Sequence, residues 1–503
     1  MNKIYRKSIA ASALVLISFS SSGLAPKGSG PSAKAIYQSG SDTVLQKLFK
    51  MAKSGVDQEA VYYLAKTLDR QELRMMAAIY FRDLIRQGPS GKFFNDAIKG
   101  LSNIDQDIRL NTSFLGSTFR AKIDEKKLLK ESRSIYAYVK AEESFRLQKF
   151  KEAMSYFSQV SQSDARYNEA LFMQAVIINA LGQKNKAIEL FRKVADLASP
   201  KSRMLDQANL NIARINYEKR DFEESIAYYA KISRNSPFWL TAIFESSWDF
   251  LVNAKPNNTL GNIHTLHSPF FAHRFFPESY ILEAISYLRL CRYEKVKEAM
   301  NNFKDRYVPI MNDLKNILQN NLDDKSEFLK IVVEFDNRIP NKHHLSDPII
   351  HILSQTDLYR DNKKISEIIT EEIAYIRERY KNNGSFSSDL IRVASSERKT
   401  LEQELARKLY REGTSYSDYL VDLYDQTKLI TAELMLGKVD ALRSKLKIDS
   451  SKKRSNFIGG LQPLVIGQKL EYWPFEAGKE GKKGEYWQDE LGGYVYNIES
   501  KCS

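Results

Sequence analysis

One residue pattern returns along positions 136–303 at a spacing of about 34 residues, and a chain that carries it is confined to stacked helix pairs. The second half of each unit places an aromatic, a small, a large and an apolar residue at intervals of three, four and three. The sets are Phe150, Ala153, Phe157 and Val160, then Phe222, Ser225, Tyr229 and Ile232, then Tyr293, Val296, Met300 and Phe303. A unit in between keeps Ala187, Phe191 and Val194. Residues three, four and seven apart share one helical face, so the small residue lets two helices touch while the large ones fill the gap to the next. The first half of each unit carries a matching small residue at Ala141, Ala175, Ala213 and Ala284. A short insertion around Ser199, Pro200 and Lys201 stretches one period.

This pattern resembles the tetratricopeptide repeat, a helix-turn-helix unit whose copies stack into a right-handed superhelix. The glycine favoured before the turn is present as Gly182 and is replaced by Cys291 in the last unit; the closing proline is clear only at Pro237. A weaker unit spans 239–266, with Trp248 on its first helix, and an earlier one spans 58–89, with Ala65, Ala77, Phe81 and Leu84. The resemblance implies about five or six repeats over 41–305. An irregular helical bundle is the competing reading, and recurrence in register argues against it.

The 76 Lys and Arg outnumber the 62 Asp and Glu, giving a formal charge of +14. Such a balance favours acidic partners: an anionic lipid surface, an anionic envelope polymer or an acidic protein. Nucleic acid is not expected, because the charge is spread along helices without a recognition motif. Residues 1–23 read as a signal peptide: Lys3, Arg6 and Lys7 precede an apolar run over 9–19 too short to span a bilayer, and small residues follow. Residues 24–40 have the Gly, Ser and Pro content of a disordered linker. The expected location is the periplasm or the periplasmic face of the outer membrane.

Beyond the repeats, 306–449 read as a helical extension and a coiled-coil-like antiparallel hairpin. Its first helix carries Leu390, Leu401, Leu405 and Leu409 and is expected to close at Gly413; its second carries Leu420, Leu423, Ile430 and Leu434. Residues 450–503 form an aromatic-rich tail with Trp473, Phe475, Trp487 and Tyr494, which has to dock or meet a partner. The expected fold is therefore all-α: a tetratricopeptide superhelix, a long antiparallel helical hairpin and a mostly irregular tail. Pro277, Glu278, Leu282, Ala284, Tyr287 and Cys291-Arg292-Tyr293, with an ending of Trp473-Pro474-Phe475 and Gly484-Glu485-Tyr486-Trp487, make 240–503 similar to envelope tetratricopeptide proteins of gliding and predatory deltaproteobacteria. Adventurous-gliding-motility proteins are among them. That resemblance implies an envelope scaffold with no chemistry of its own; an insertion at 477–483 departs from it.

The chain has no phosphate-binding glycine loop, no Gly-x-Ser-x-Gly and no His-Glu-x-x-His, so neither catalytic residues nor a cofactor are expected. Glu371-Glu372 and Asp323-Asp324 read as solvated helix faces. His264, His267 and His273 are close enough in sequence to consider zinc. No thiol or acid lies beside them, so no metal is expected and 259–277 reads as a packed aromatic loop between repeats. Cys291 and Cys502 are the only cysteines. An oxidising compartment permits a bridge between them, and two buried free thiols are equally open. Under the repeat resemblance the first helices line a concave groove, which nominates Tyr138, Glu142, Arg146, Phe172, Asn179, Gln207, Arg214, Tyr217 and Glu218 as partner-binding residues. Their aromatic, amide and ionic groups suit an extended peptide. The expected function is a non-enzymatic exported scaffold that grips another envelope protein, in a gliding-motility or envelope-assembly complex. The alternative is a cell-wall or envelope-polymer enzyme, or its regulatory subunit, whose repeats present substrate.

Overall fold

The computed structural model describes residues 31–40, 43–53, 56–120, 123, 125–340, 346–381, 384–445 and 491–502. Within them the chain is all-α. Two short helices, α1 (Ala33–Gln38) and α2 (Val44–Ala52), lead into seven helix pairs. The pairs are α3 (Gln58–Arg70) with α4 (Arg74–Arg86), α5 (Phe94–Ile108) with α6 (Thr112–Thr118), α7 (Lys130–Arg146) with α8 (Phe150–Phe157), and α9 (Tyr167–Ala180) with α10 (Lys184–Leu197). They continue as α11 (Arg203–Glu218) with α12 (Phe222–Ala230), α13 (Trp239–Val252) with α14 (Pro256–Leu266), and α15 (Glu278–Arg289) with α16 (Tyr293–Asn320). Four more helices follow: α17 (Lys325–Asp336), α18 (Asp347–Gln355), α19 (Asp357–Arg379) and α20 (Gly384–Lys445).

The helices of a pair cross at small residues. Ala65 with Ala77, Ala141 with Ala153, and Ala175 with Ala187 are fully buried where they meet. Two pairs use a hydroxyl instead: Ser225 donates to the Ala213 carbonyl at 2.9 Å and Thr259 to the Ser247 carbonyl at 3.2 Å, each twelve residues along the chain. Thr259 corrects the loop reading of 259–277, because it takes the crossing position and so makes 259–266 the second helix of a repeat. The turns are equally regular. Glu72, Gln148, Gly182, Arg220, Ala254 and Cys291 all have φ between 53° and 80°. In each, the next residue's N–H returns to a carbonyl in the helix's last turn, as Arg292 does to Tyr287 at 2.9 Å. Only one of the six is glycine; the others accept left-handed strain of the order of 1 kcal/mol.

The expected linker over 24–40 is helical in part. Ser32 caps α1 by accepting from the Ala35 N–H, and Tyr37 is buried under the Arg70 guanidinium and beside the Tyr63 ring. The division expected at 305 falls inside α16, which runs on through Pro309. The hairpin exists with a different turn. α19 and α20 run antiparallel, with Ser366 bonded to Glu402, Arg398 to Thr370, and Tyr380 against Phe386. Gly413 does not end a helix, since α20 runs unbroken through it and is 62 residues long in all. A side chain there would stand 2.8 Å from the Phe328 ring, so this glycine serves close packing of α17. The signal peptide, Trp473, Phe475 and Trp487 lie outside the described residues.

The hairpin spans the superhelix. One hydrophobic core joins α1–α7 to α19 and the start of α20, and a second joins α14–α18 to the rest of α20. At the first end the Glu372 carboxylate accepts the Met75 and Met76 N–H groups, at 2.7 and 2.9 Å, and so caps α4. Glu372 is thus buried and not on a solvated face. Beside it Arg82 makes a two-pronged pair with Glu397, both contacts 2.7 Å. At the other end Tyr419 donates to Glu278 at 2.7 Å and Tyr410 to the Leu318 carbonyl at 2.9 Å.

The tail's last residues dock on α14 and α15. Tyr496 N–H reaches the Asn257 carbonyl and Lys501 N–H the Leu290 carbonyl, while Tyr494 is buried edge-on to His264. Gly261 permits this, because a Cβ there would stand 1.7 Å from the Tyr494 carbonyl oxygen. Cys291 and Cys502 form a disulfide, with Cα atoms 5.2 Å apart, that ties this segment to the last repeat turn. On the loop-entropy account a bridge across 211 residues restricts the unfolded chain by about 5 kcal/mol.

Glu397→Gln leaves the buried Arg82 without its counter-charge, and the expected loss is about 3–5 kcal/mol in urea unfolding. Lys399→Gln, exposed on the same helix, serves as the neutral control. Equal stability of the two variants would mean that α20 is not held against α4.

Candidate functional site

The nine nominated residues do not form one strip, because α20 lies across the superhelix and divides the space in front of the repeats. Tyr138, Glu142 and Arg146 meet in a cleft of ≈ 700 Å³ between α6, α7 and α20. Tyr138 is mostly core: its ring is edge-on to Phe157 and lies under the Arg166 guanidinium, and its hydroxyl donates to Glu169 at 3.2 Å. Burial pushes the Glu142 carboxyl up to about 6, with Glu169 adding to the effect. Arg146 is exposed.

The other six serve the repeats or a second cleft. Phe172 packs edge-on against Phe191, and Tyr217 against Phe222. Glu218 pairs with Lys184 at 3.2 Å. Gln207 is half-buried, with its backbone carbonyl taken by Asn211. The Asn179 Oδ1 has no hydrogen-bond partner among the described residues. Arg214 grips Glu245 with two contacts of 2.8 and 2.6 Å, and Glu245 also accepts from Tyr229. Glu245 stands on the wall of that second cleft.

The second cleft, ≈ 1010 Å³, is enclosed by the α12–α13 turn, α13, the segment before α15, α18, α20 and Leu491 of the tail. Its walls are aromatic: Trp239 stands edge-on to Phe271, Phe244 meets Phe276, and Phe275 meets Tyr416 and Tyr419. Three guanidiniums face it. Arg203 lies over Phe238 and pairs with Asp357 at 3.2 Å. Arg274 donates to His351 Nε2 at 2.6 Å, and its own Nε has no partner among the described residues. Burial holds His351 at about 4, with Arg274 and His273 adding to this, so the imidazole is neutral and accepts. Arg234 is the third. None of these residues was among the nominated nine. The signals in sequence were the aromatic density of 269–276 and Trp239, which stands at the start of a first helix.

The histidines are packed against rings and a hydroxyl. His267 stacks on Tyr280 and hydrogen-bonds Ser279 at 2.8 Å, and His273 is edge-on to His351. Among the described residues no group of His, Cys, Asp and Glu could hold a metal ion. Burial drives His267 down to about 3 and Glu283 up to about 8, so their 3.7 Å contact joins two neutral groups at neutral pH. No helix among the described residues is long and apolar enough to cross a membrane.

No protein-family model matches the chain, and no curated protein matches it. Among solved structures it is similar to a tetratricopeptide repeat protein from Parabacteroides merdae, at 13% identity and a TM-score of 0.29, over 52% of this chain and 92% of that one. It is also similar to a Rap protein complexed with competence and sporulation factor, at 12% identity and a TM-score of 0.29, and to the apo form of RapI, at 13% and 0.27. Each of these two matches covers 75% of this chain and 95% of the other. At such scores the repeat assignment rests on this chain's own crossing residues and turns.

Glu283 supplies a pH test. A carboxyl whose pKa is higher folded than unfolded holds its proton more tightly in the folded state. Its contribution is full below the unfolded value and is lost as pH rises through the folded one. Between about pH 6.5 and 8.5 the wild type is expected to lose about 1–2 kcal/mol more stability than Glu283→Gln, read from urea unfolding at each pH. Identical slopes would show that Glu283 ionises freely.

Proposed function

We propose that the chain is a non-enzymatic scaffold that holds a segment of another protein between the inner face of its repeats and α20. The aromatic cleft carries this reading. Clustered Trp, Phe and Tyr with arginine at hand is the composition of interface hot spots, where rigid rings supply area and guanidiniums fix orientation. Helix pairs in register supply a rigid curved frame, and the hairpin sets its span.

The proposal extends to location. The n-region and apolar run of 1–19 support export, and a Cys291–Cys502 bridge suits an oxidising compartment. An envelope protein is then the partner, on the periplasmic side. The C-terminal resemblance suggests a gliding-motility or envelope-assembly complex, to be judged by the identity of the captured protein.

The test uses full-length protein as bait in envelope fractions. Phe271→Ala with Arg274→Ala is expected to weaken capture of the wild-type partner by tenfold or more, roughly 1–3 kcal/mol. Lys193→Ala on α10 is expected to leave it unchanged, and all three proteins to melt within a few degrees of each other. Capture that survives the double substitution, or turnover of purified wall material by the chain, would contradict the reading.

A further inference from the structure

We propose that the cleft between α6, α7 and α20 is a second, separate binding site, specific for an acidic peptide segment. Such a segment belongs to the partner that the scaffold holds, so the site rests on that reading for its source and on its own geometry for its chemistry.

Five cations surround this cleft: Arg120 just after α6, Arg146 at the end of α7, and Arg407, Lys408 and Arg411 on one stretch of α20. None of them makes an ion pair among the described residues. Lys408 instead donates to the Ser113 hydroxyl at 2.9 Å. Burial lowers the pKa of its ammonium; Glu404 and Glu412 oppose this, and Arg146 and Arg411 add to it. The four arginines stand at the exposed rim of the cleft and Lys408 is partly buried within it. Five cations from three helices outnumber the three carboxylates on the same lining, Glu142, Glu143 and Glu404, and the excess leaves a local positive field that an incoming anion relieves.

The walls choose the class of anion. Leu115, Val139 and Phe145 give the cleft an apolar side, and Glu142 and Glu404 face into it beside the arginines. The third carboxylate, Glu143, is already held by Lys140 at 2.8 Å. A phosphodiester polymer repeats its charge along a polar backbone and has no apolar side chains for the Leu115, Val139 and Phe145 wall. A peptide rich in Asp or Glu brings carboxylates for the guanidinium forks, apolar side chains for the wall, and backbone N–H groups for Glu142 and Glu404. Arg is the residue for such two-pronged recognition, and four of the five cations are Arg.

The experiment is fluorescence anisotropy on full-length, folded protein, with a short fluorescein-labelled peptide of alternating Glu and Leu. Its Gln-for-Glu counterpart and a phosphodiester polymer, teichoic acid, are the comparison probes. The Glu peptide is expected to bind at least tenfold more tightly than the Gln peptide, and to weaken as salt is raised. Arg407→Glu with Arg411→Glu, both exposed, should reduce that binding at least tenfold at unchanged melting temperature. Arg392→Glu with Lys399→Glu makes the same charge change on α20 outside the cleft and should stay within about twofold of wild type. Equal affinity for the Glu and Gln peptides, no binding of the Glu peptide, an unaffected Arg407/Arg411 variant, or tighter binding of teichoic acid would each overturn the site. The titration needs no captured partner, so it fails or succeeds separately from the aromatic cleft.

Discussion

Everything on the inner side of this molecule depends on one long-range contact, the docking of the α19–α20 hairpin across the superhelix. A stack of helix pairs is quasi-one-dimensional: each pair touches only its neighbours, and its curvature is free to flex. Joining the two ends through a third element removes that freedom. The contact at the first end is made of buried polar groups: the Glu372 carboxyl, which burial pushes up to about 7, accepts from the open N-terminus of α4, and Arg82 sits in the two-pronged grip of Glu397. Buried pairs of this kind add little net stability, because desolvation offsets their attraction, yet breaking one strands a charge. Their effect is to fix one position of α19 and α20 against the repeats, where apolar contacts alone would allow sliding.

That placement gives the inner face its two clefts. Both are bounded by repeat helices on one side and α20 on the other, so a bound segment would be held on opposite faces. The aromatic cleft is also closed by the docked tail, through Leu491, and the Cys291–Cys502 bridge keeps that tail in place. Function on this account is geometry: the repeats supply curvature, the hairpin sets the width, and the tail closes one end.

The local rules were legible in the sequence. Small residues at the helix crossings, with large ones four and seven positions on, marked the pairs, and Ala153 and Ala187 stand where helices touch. Three things were hidden, for distinct reasons. Gly413 looks like a helix stop until Phe328 is seen against it, because a packing glycine and a capping glycine are the same letter. Ser247 and Thr259 replace the alanines of a crossing by a hydrogen bond, so the pair that they join reads as degenerate. Glu372 reaches α4 from almost three hundred residues away, and no periodicity encodes a contact of that range. Of the nine nominated residues, Tyr138, Glu142 and Arg146 line a cleft. Nothing in the repeat pattern reveals that the chain's own helix stands opposite the groove.

Amide hydrogen exchange at Met75 and Met76 tests that central contact most directly. N–H groups in the first turn of a helix have no partner within it and exchange freely unless another group accepts them. With α19 docked, both amides are expected to be protected like those in the interior of α4, and Glu372→Ala should remove that protection while the later amides of α4 keep theirs. Free exchange of Met75 and Met76 in the wild type would show that the hairpin does not rest on α4, and the two clefts would lose their common wall.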